Sequence, residues 1–268
     1  MSEQCQDTLR CDPGDLRQAM SIHTSKITDS CRDKDCIEDL RVYLTTGSQT
    51  ILDTAANARV RCAELITTTI DVEPVAFDRS HYCIDLTFYY RILADATVGT
   101  NRPAALYGLA VFNKRAVLCG EDTRTHTYRS NDAAPISLYH NLPTAVVEIL
   151  DPMVLASRVR EAGGSETVPP VIPDAIRELF DEPLVVAGGA RQLFVTLGQF
   201  SIVRLERESQ LVVPVLDYAV PSRECCDAPG TGSEDPCEMF SRIPFPAQQF
   251  TPRTCDDDPS DNNCYQTC

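Results

Sequence analysis

Between residues 60 and 92 apolar and polar side chains alternate with a period of two, the spacing of strands with one buried face. Val60, Cys62, Glu64, Ile66, Thr68, Ile70 and Val72 alternate with Arg61, Ala63, Leu65, Thr67, Thr69 and Asp71. After a turn at Asp78-Arg79-Ser80, Tyr82, Ile84, Leu86, Phe88, Tyr90 and Ile92 form an unbroken apolar face, with Asp85, Thr87 and Arg91 on the other. Upstream the spacing is helical. Asp12-Pro13-Gly14-Asp15 predicts a turn opening a helix through Leu16, Ala19, Met20, Ile22 and Ile27. Asp35 to Leu44 predicts a second helix with Ile37, Leu40 and Leu44 inward, and Ser48-Gln49-Thr50 caps a third ending near Ala56.

Downstream, Asn101-Arg102-Pro103 turns into a strand from Ala105 to Phe112, and Asn113-Lys114 connects it to another from Arg115 to Cys119. Residues 120–143 read as loop, and Ala145 to Leu150 as a short strand. Pro173 to Phe180 reads as a short helix with proline at its start. Gly188-Gly189 introduces a second long hairpin: Gln192 to Arg207, a polar turn at Glu208-Ser209, then Gln210 to Val220. From Pro221 onward the chain is rich in Pro, Gly, Ser and Asp, with nine acids against three arginines, and reads as a flexible tail. The prediction is a mainly β fold: a helical segment over 1–58, an antiparallel sandwich-like body over 59–220, and an irregular Cys-rich arm over 221–268.

A net charge of −15 argues against nucleic acid and anionic membranes as partners. No apolar run is long enough for a transmembrane helix. The first residues lack a basic stretch followed by an apolar one, which predicts synthesis in the cytoplasm without a signal peptide. Three lysines stand against twenty-one arginines, a bias suited to carboxylate pairing at interfaces.

The thirteen cysteines sharpen the picture. Cys5, Cys11, Cys31 and Cys36 crowd one end; Cys225, Cys226, Cys237, Cys255, Cys264 and Cys268 crowd the other. Cys62, Cys83 and Cys119 lie between. Structural zinc favours paired ligands two to four residues apart, and no two close pairs carry that spacing, although His81-Tyr82-Cys83 puts two ligand types on one strand face. There is no C-x-x-C for redox catalysis, and His23, His81, His126 and His140 lack a hydrolase or metalloprotease companion motif. The acidic run Asp256 to Asn263 lacks the calcium-loop ligand order, so it reads as a solvated spacer. The expectation is no enzyme and no cofactor. Disulfide linkage is the better use: the ten terminal cysteines cross-link, with the six of the arm joining subunits while Cys62 and Cys83 sit inside the sheet.

Several stretches resemble a known group: Thr24 to Leu44 (TSKITDSCRDKDCIEDLRVYL), Leu109 to Arg115 (LAVFNKR), Pro143 to Glu148 (PTAVVE) and Phe194 to Arg207 (FVTLGQFSIVRLER). Together they are similar to a family of uncharacterised proteins from spore-forming clostridia, associated with cysteine-rich structural proteins of the spore coat or exosporium. That resemblance implies self-assembly into a disulfide-hardened layer, shell or filament. Its partners would be copies of itself and other coat-layer proteins, and its location the spore surface. A non-covalent subunit of a phage-like or other cytosolic particle, or a zinc-binding module, are the alternatives.

Overall fold

A computed structural model describes residues 22–78, 80–99, 103–121, 142–162, 170–211 and 236–250. Seven antiparallel strands form one sheet: β1 (Ile22–Leu44), β2 (Asn57–Pro74), β3 (His81–Thr97), β4 (Ala104–Cys119), β5 (Thr144–Ile149), β6 (Met153–Glu161) and β7 (Arg191–Leu211). The spatial order is β2-β3-β4-β1-β7-β5, with β6 also paired to β7. β5 lies against Ser201–Glu206 and β6 against Arg191–Gly198, so the two short strands share one edge of β7 end to end. The sheet curls until β6 approaches β2, where the Val60 N–H donates to Ser157 Oγ at 3.2 Å. The result is a nearly closed antiparallel sheet around one interior.

The β body agrees with the alternation read from the sequence; the N-terminal helical segment does not. Asp35 to Leu44 is the last part of β1, not a helix, and Ile27 lies in the same strand. The misleading feature is a bulge. The β1–β7 register shifts between Ile37 and Leu40, and Asp39 adopts φ 51°, a left-handed conformation that aspartate tolerates better than most residues. The extra residue stretches one inward step from two residues to three. Ile37, Leu40, Val42 and Leu44 therefore all reach the core from a strand, while the first two have helix-like spacing. The third expected helix is present as α1 (Thr46–Thr54). The helix expected to begin near Asp12 lies largely outside the described residues.

Two further breaks expected from polar pairs are absent. Asn113 and Lys114 continue β4, paired with Thr87 and Leu86 of β3, so the expected third and fourth strands are one. Glu208 and Ser209 continue β7, paired with Ser25 and Thr24, where a hairpin turn was expected. β7 pairs along its length with β1, the segment first read as helical. In both places a long ladder holds polar pairs that, read locally, look like turns.

Inside the barrel the predicted apolar face of β3 is buried throughout: Tyr82, Ile84, Leu86, Phe88, Tyr90 and Ile92. In β2 the register shifts between Val60 and Cys62, so Ala58, Val60 and Ala63 face inward and the simple alternation through Cys62 is reset. Outside, a second cluster forms where Ile172 and Ile176 of the segment around α2 (Asp174–Arg177) pack on Tyr89 and Leu109. The expected helix from Pro173 is thus present in its first turn.

The tail is not wholly irregular. α3 (Pro236–Ser241) and a 3-10 turn (Ala247–Phe250) pack on the outer face of β1 and β7. Phe240 is buried against Phe200, with ring centroids 4.8 Å apart. Gly198 makes room for it, since a Cβ there would come within 2.8 Å of the Phe240 ring. Phe245 meets Phe200 edge-on at 5.5 Å and stacks on Phe250 at 5.2 Å. Lys34 adds a cation 4.9 Å from the Phe240 ring centre and donates to the Ile243 carbonyl at 2.7 Å.

Candidate functional site

The cysteines are sorted by the pleat of β1. Cys31 points into the barrel and is buried, whereas Cys36 points outward beneath α3. There Cys36 is disulfide-bonded to Cys237, with Cα atoms 5.4 Å apart across a sequence separation of 201 residues. Cys237 therefore closes onto its own chain, in place of the intersubunit role expected for it. Cys31 and Cys62 do not carry free thiols. Cys83 and Cys119 do, and both are half-buried. Cys83 lies on the outer face of β3, opposite the interior face of Tyr82 and Ile84, so it is not inside the sheet as expected. Cys119 is the register partner of His81, and Cys83 pairs with the exposed Val117 two residues away, so both thiols lie on one patch of barrel wall. Cys5, Cys11, Cys225, Cys226, Cys255, Cys264 and Cys268 lie outside the described residues, as do His126, His140 and the acidic run.

Among the described residues no group of three metal-ligating side chains converges. His81, the candidate partner of Cys83, is engaged elsewhere: its Nδ1 lies 2.8 Å from Asp78 Oδ2 and 3.1 Å from Ser80 Oγ. Ser80, through its hydroxyl and backbone N–H, and His81 hold the Asp78 carboxyl below the usual carboxylate range. Nearby, Arg115 grips Asp85 with two hydrogen bonds of 2.6 and 2.7 Å, which lowers the Asp85 pKa.

A cavity of about 520 Å³ opens beside the start of α1, lined by Ser48, Ile51, Arg91, Tyr107, Phe180 and Glu182 among others. Two of its polar side chains, Glu182 and Ser48, are committed to structure. Glu182 accepts from the Gly47 N–H at 2.6 Å, and Ser48 Oγ accepts from Thr45 Oγ1 at 2.8 Å and the Tyr107 N–H at 3.0 Å. Among the described residues, the hydrogen-bond partners of Ser48 include neither a histidine nor a carboxylate base.

The barrel interior holds a polar cluster that sequence reasoning passed over. Lys114 of β4 points inward and pairs with Asp33 and Asp35 of β1. Beside them the Tyr90 hydroxyl donates to Gln199 Oε1 at 2.5 Å. The available signal was Asp33-x-Asp35, two carboxylates on one face of a strand, with a lysine amid an apolar run. Reading Lys114 as a turn residue hid it.

Burial, and then the Asp35 charge, push the Tyr90 phenol well above its ordinary range. A raised folded-state value means that the native protein keeps a proton which the unfolded chain releases near pH 10, so this contribution to stability holds below that pH and is lost above it. Tyr90→Phe should flatten the fall in urea midpoint between neutral and strongly alkaline pH. At neutral pH it should cost about 1–3 kcal/mol, because the Gln199 carboxamide loses its donor. An unchanged alkaline slope would contradict this account.

The fold and its cysteines define a class in general terms: a nearly closed, mainly antiparallel β barrel clasped by a disulfide-bonded tail. No protein-family model, no curated protein and no solved structure matches the chain. Among the described residues no helix is long and apolar enough to cross a membrane.

Proposed function

We propose that this protein is a structural building block that assembles with copies of itself into a disulfide-stabilised layer, shell or filament. The observation that carries this reading is the pair of free thiols, Cys83 and Cys119, on one outward patch of the barrel wall. Strand-held side chains present their sulfurs in a fixed geometry, which lowers the ordering cost of joining two bodies. The cysteines outside the described residues add further linking points. Cys36 and Cys237 leave the linking set, because their bond holds the tail to its own barrel. The spore surface, where the resemblance of the sequence points, is the proposed location, with other coat-layer proteins as further partners. Catalysis is not part of this proposal.

Electrophoresis with and without reductant tests it on the full chain. Covalent multimers are expected without reductant and should collapse to monomer with it. Cys83→Ser with Cys119→Ser should remove a substantial share of the multimers while leaving the Cys36–Cys237 bond intact by peptide mapping. Monomer alone under air oxidation would sink the proposal. Particles that persist in electron micrographs after reduction would favour the non-covalent shell instead.

A further inference from the structure

Lys114 has an unusual setting for a lysine. Its side chain is 10% exposed, while those of Asp33 and Asp35 are 1% and 11% exposed. Lys114 Nζ contacts the Asp33 carboxylate and lies 2.6 Å from Asp35 Oδ1. Three formal charges are thus withdrawn from water, and the two carboxylates outnumber the one ammonium. Burial of ions is costly even when they are paired, so this site gains from any step that removes charge. Arginine, which outnumbers lysine twenty-one to three in the chain, cannot take part in such a step, because its guanidinium stays protonated.

Two further features point to a reaction at this position. The β1–β4 ladder is confined, among the described residues, to Val42–Leu44 opposite Gly108–Ala110. Farther along, side chains bridge the two strands: Asp29 accepts from the Cys119 N–H at 2.9 Å, Lys26 reaches Glu121 at 2.7 Å, and Lys114 reaches Asp33 and Asp35. In addition, Ser201 and Gln199 of β7 are the register partners of Asp33 and Asp35. Among the described residues, no hydrogen-bond partner meets the buried Ser201 Oγ or Gln199 Nε2. Two donors thus sit one strand over from the carboxylates on the same inward face, the side from which an oxygen gaining charge could be met.

We infer that Lys114 and Asp33 condense into an intramolecular amide that rivets β4 to β1, with Asp35 as the proton carrier. In this buried cluster one ammonium proton passes to Asp33, leaving a neutral amine against a neutral carboxylic acid. The amine attacks Asp33 Cγ, and the Nζ–Cγ bond forms as Asp35 takes a second proton from the nitrogen. Ser201 and Gln199 are the donors for the resulting oxyanion. Asp35 then returns its proton to the departing hydroxyl, the Cγ–O bond breaks, and one water leaves. No oxidant or cofactor is consumed, and Asp35 ends ionised as it began. Fixing amine and acid in contact supplies the effective concentration that such a condensation lacks in water.

The test uses the full chain, folded, then reduced, alkylated and denatured. Its intact mass should be lower by one water than that calculated for the sequence with all thirteen cysteines alkylated, and a branched peptide should join the Asp33 and Lys114 segments. Amine labelling of the denatured chain should modify two of its three lysines, Lys26 and Lys34. Lys114→Arg and Asp35→Asn should each restore the full mass. The wild-type measurement stands alone if those variants fail to fold. An unshifted wild-type mass, or a lost water with all three lysines labelled, would overturn the inference. It does not depend on assembly: a monomer could carry the amide, and a multimer could lack it.

Discussion

Replacing both Cys36 and Cys237 with serine should lower stability by about 5 kcal/mol, the value that the chain-entropy account assigns to a cross-link closing a loop of about two hundred residues. The paired substitution is a cleaner probe than a reducing agent, because Cys31 and Cys62 are not free thiols either. The bond holds down a segment whose own contacts are modest: the buried Phe240, the Phe200 and Phe245 ring contacts and the Lys34 bridge. Without the cross-link those contacts must offset the freedom of the whole tail. The variant should therefore undock the tail before the barrel melts. In a urea titration this appears as a lower midpoint, and in limited proteolysis as early loss of the fragment bearing α3. Equal midpoints for the variant and the oxidised parent would show that the cross-link is incidental.

Phe88→Ala should be similarly damaging, but by unfolding the barrel itself. Phe88 is fully buried and stacked between Tyr90, at 6.3 Å, and Phe112, at 5.8 Å, in the middle of the apolar face of β3. Truncation removes the ring and leaves a void that strands tied on both sides cannot collapse to fill. The expected cost is about 3–5 kcal/mol, against a total of about 5–15 kcal/mol for a typical domain. The urea midpoint should fall with the slope unchanged. Phe77→Ala is the control: this ring is fully exposed in the β2–β3 turn, and its loss should shift stability by less than about 0.5 kcal/mol. A comparable loss from both variants would mean that the core is not where β3 places it.

The contrast between β3 and β1 shows how much of the fold could be read from residues alone. β3 meets one partner on each side without a register shift on the β4 side, so its period of two is intact and its inward face was legible residue by residue. β1 carries bulges, and one of them moves Leu40 into helix-like spacing with Ile37. No local pattern separates that from a short amphipathic helix; the twenty-one-residue β7 alongside does. The same holds for Asn113-Lys114 and Glu208-Ser209. Each pair has turn composition, and each is kept extended by a neighbouring strand distant in sequence. At the candidate site the inventory of cysteines was legible but their direction was not. Whether Cys36 or Cys31 faces outward depends on the pleat of β1, and the place of Cys83 depends on which face of β3 the barrel encloses. Lys114 was missed because Asn113-Lys114 has turn composition, and only the ladder with β3, which pairs Lys114 with Leu86, shows it extended on the inward face.

That curvature stops short of a full circle. Where β6 approaches β2, the Val60 amide leans on the Ser157 hydroxyl instead of a backbone carbonyl. Opening there would break the Val60–Ser157 hydrogen bond and leave the outer margin of β2 as a template for a strand from elsewhere. Glu73 and Pro74 blunt the far end of that margin, whereas Leu65 to Thr68 contains neither a charge nor a proline. For the assembly proposed above, the gap in the ring would supply a second join, strand margin against strand margin, independent of any sulfur.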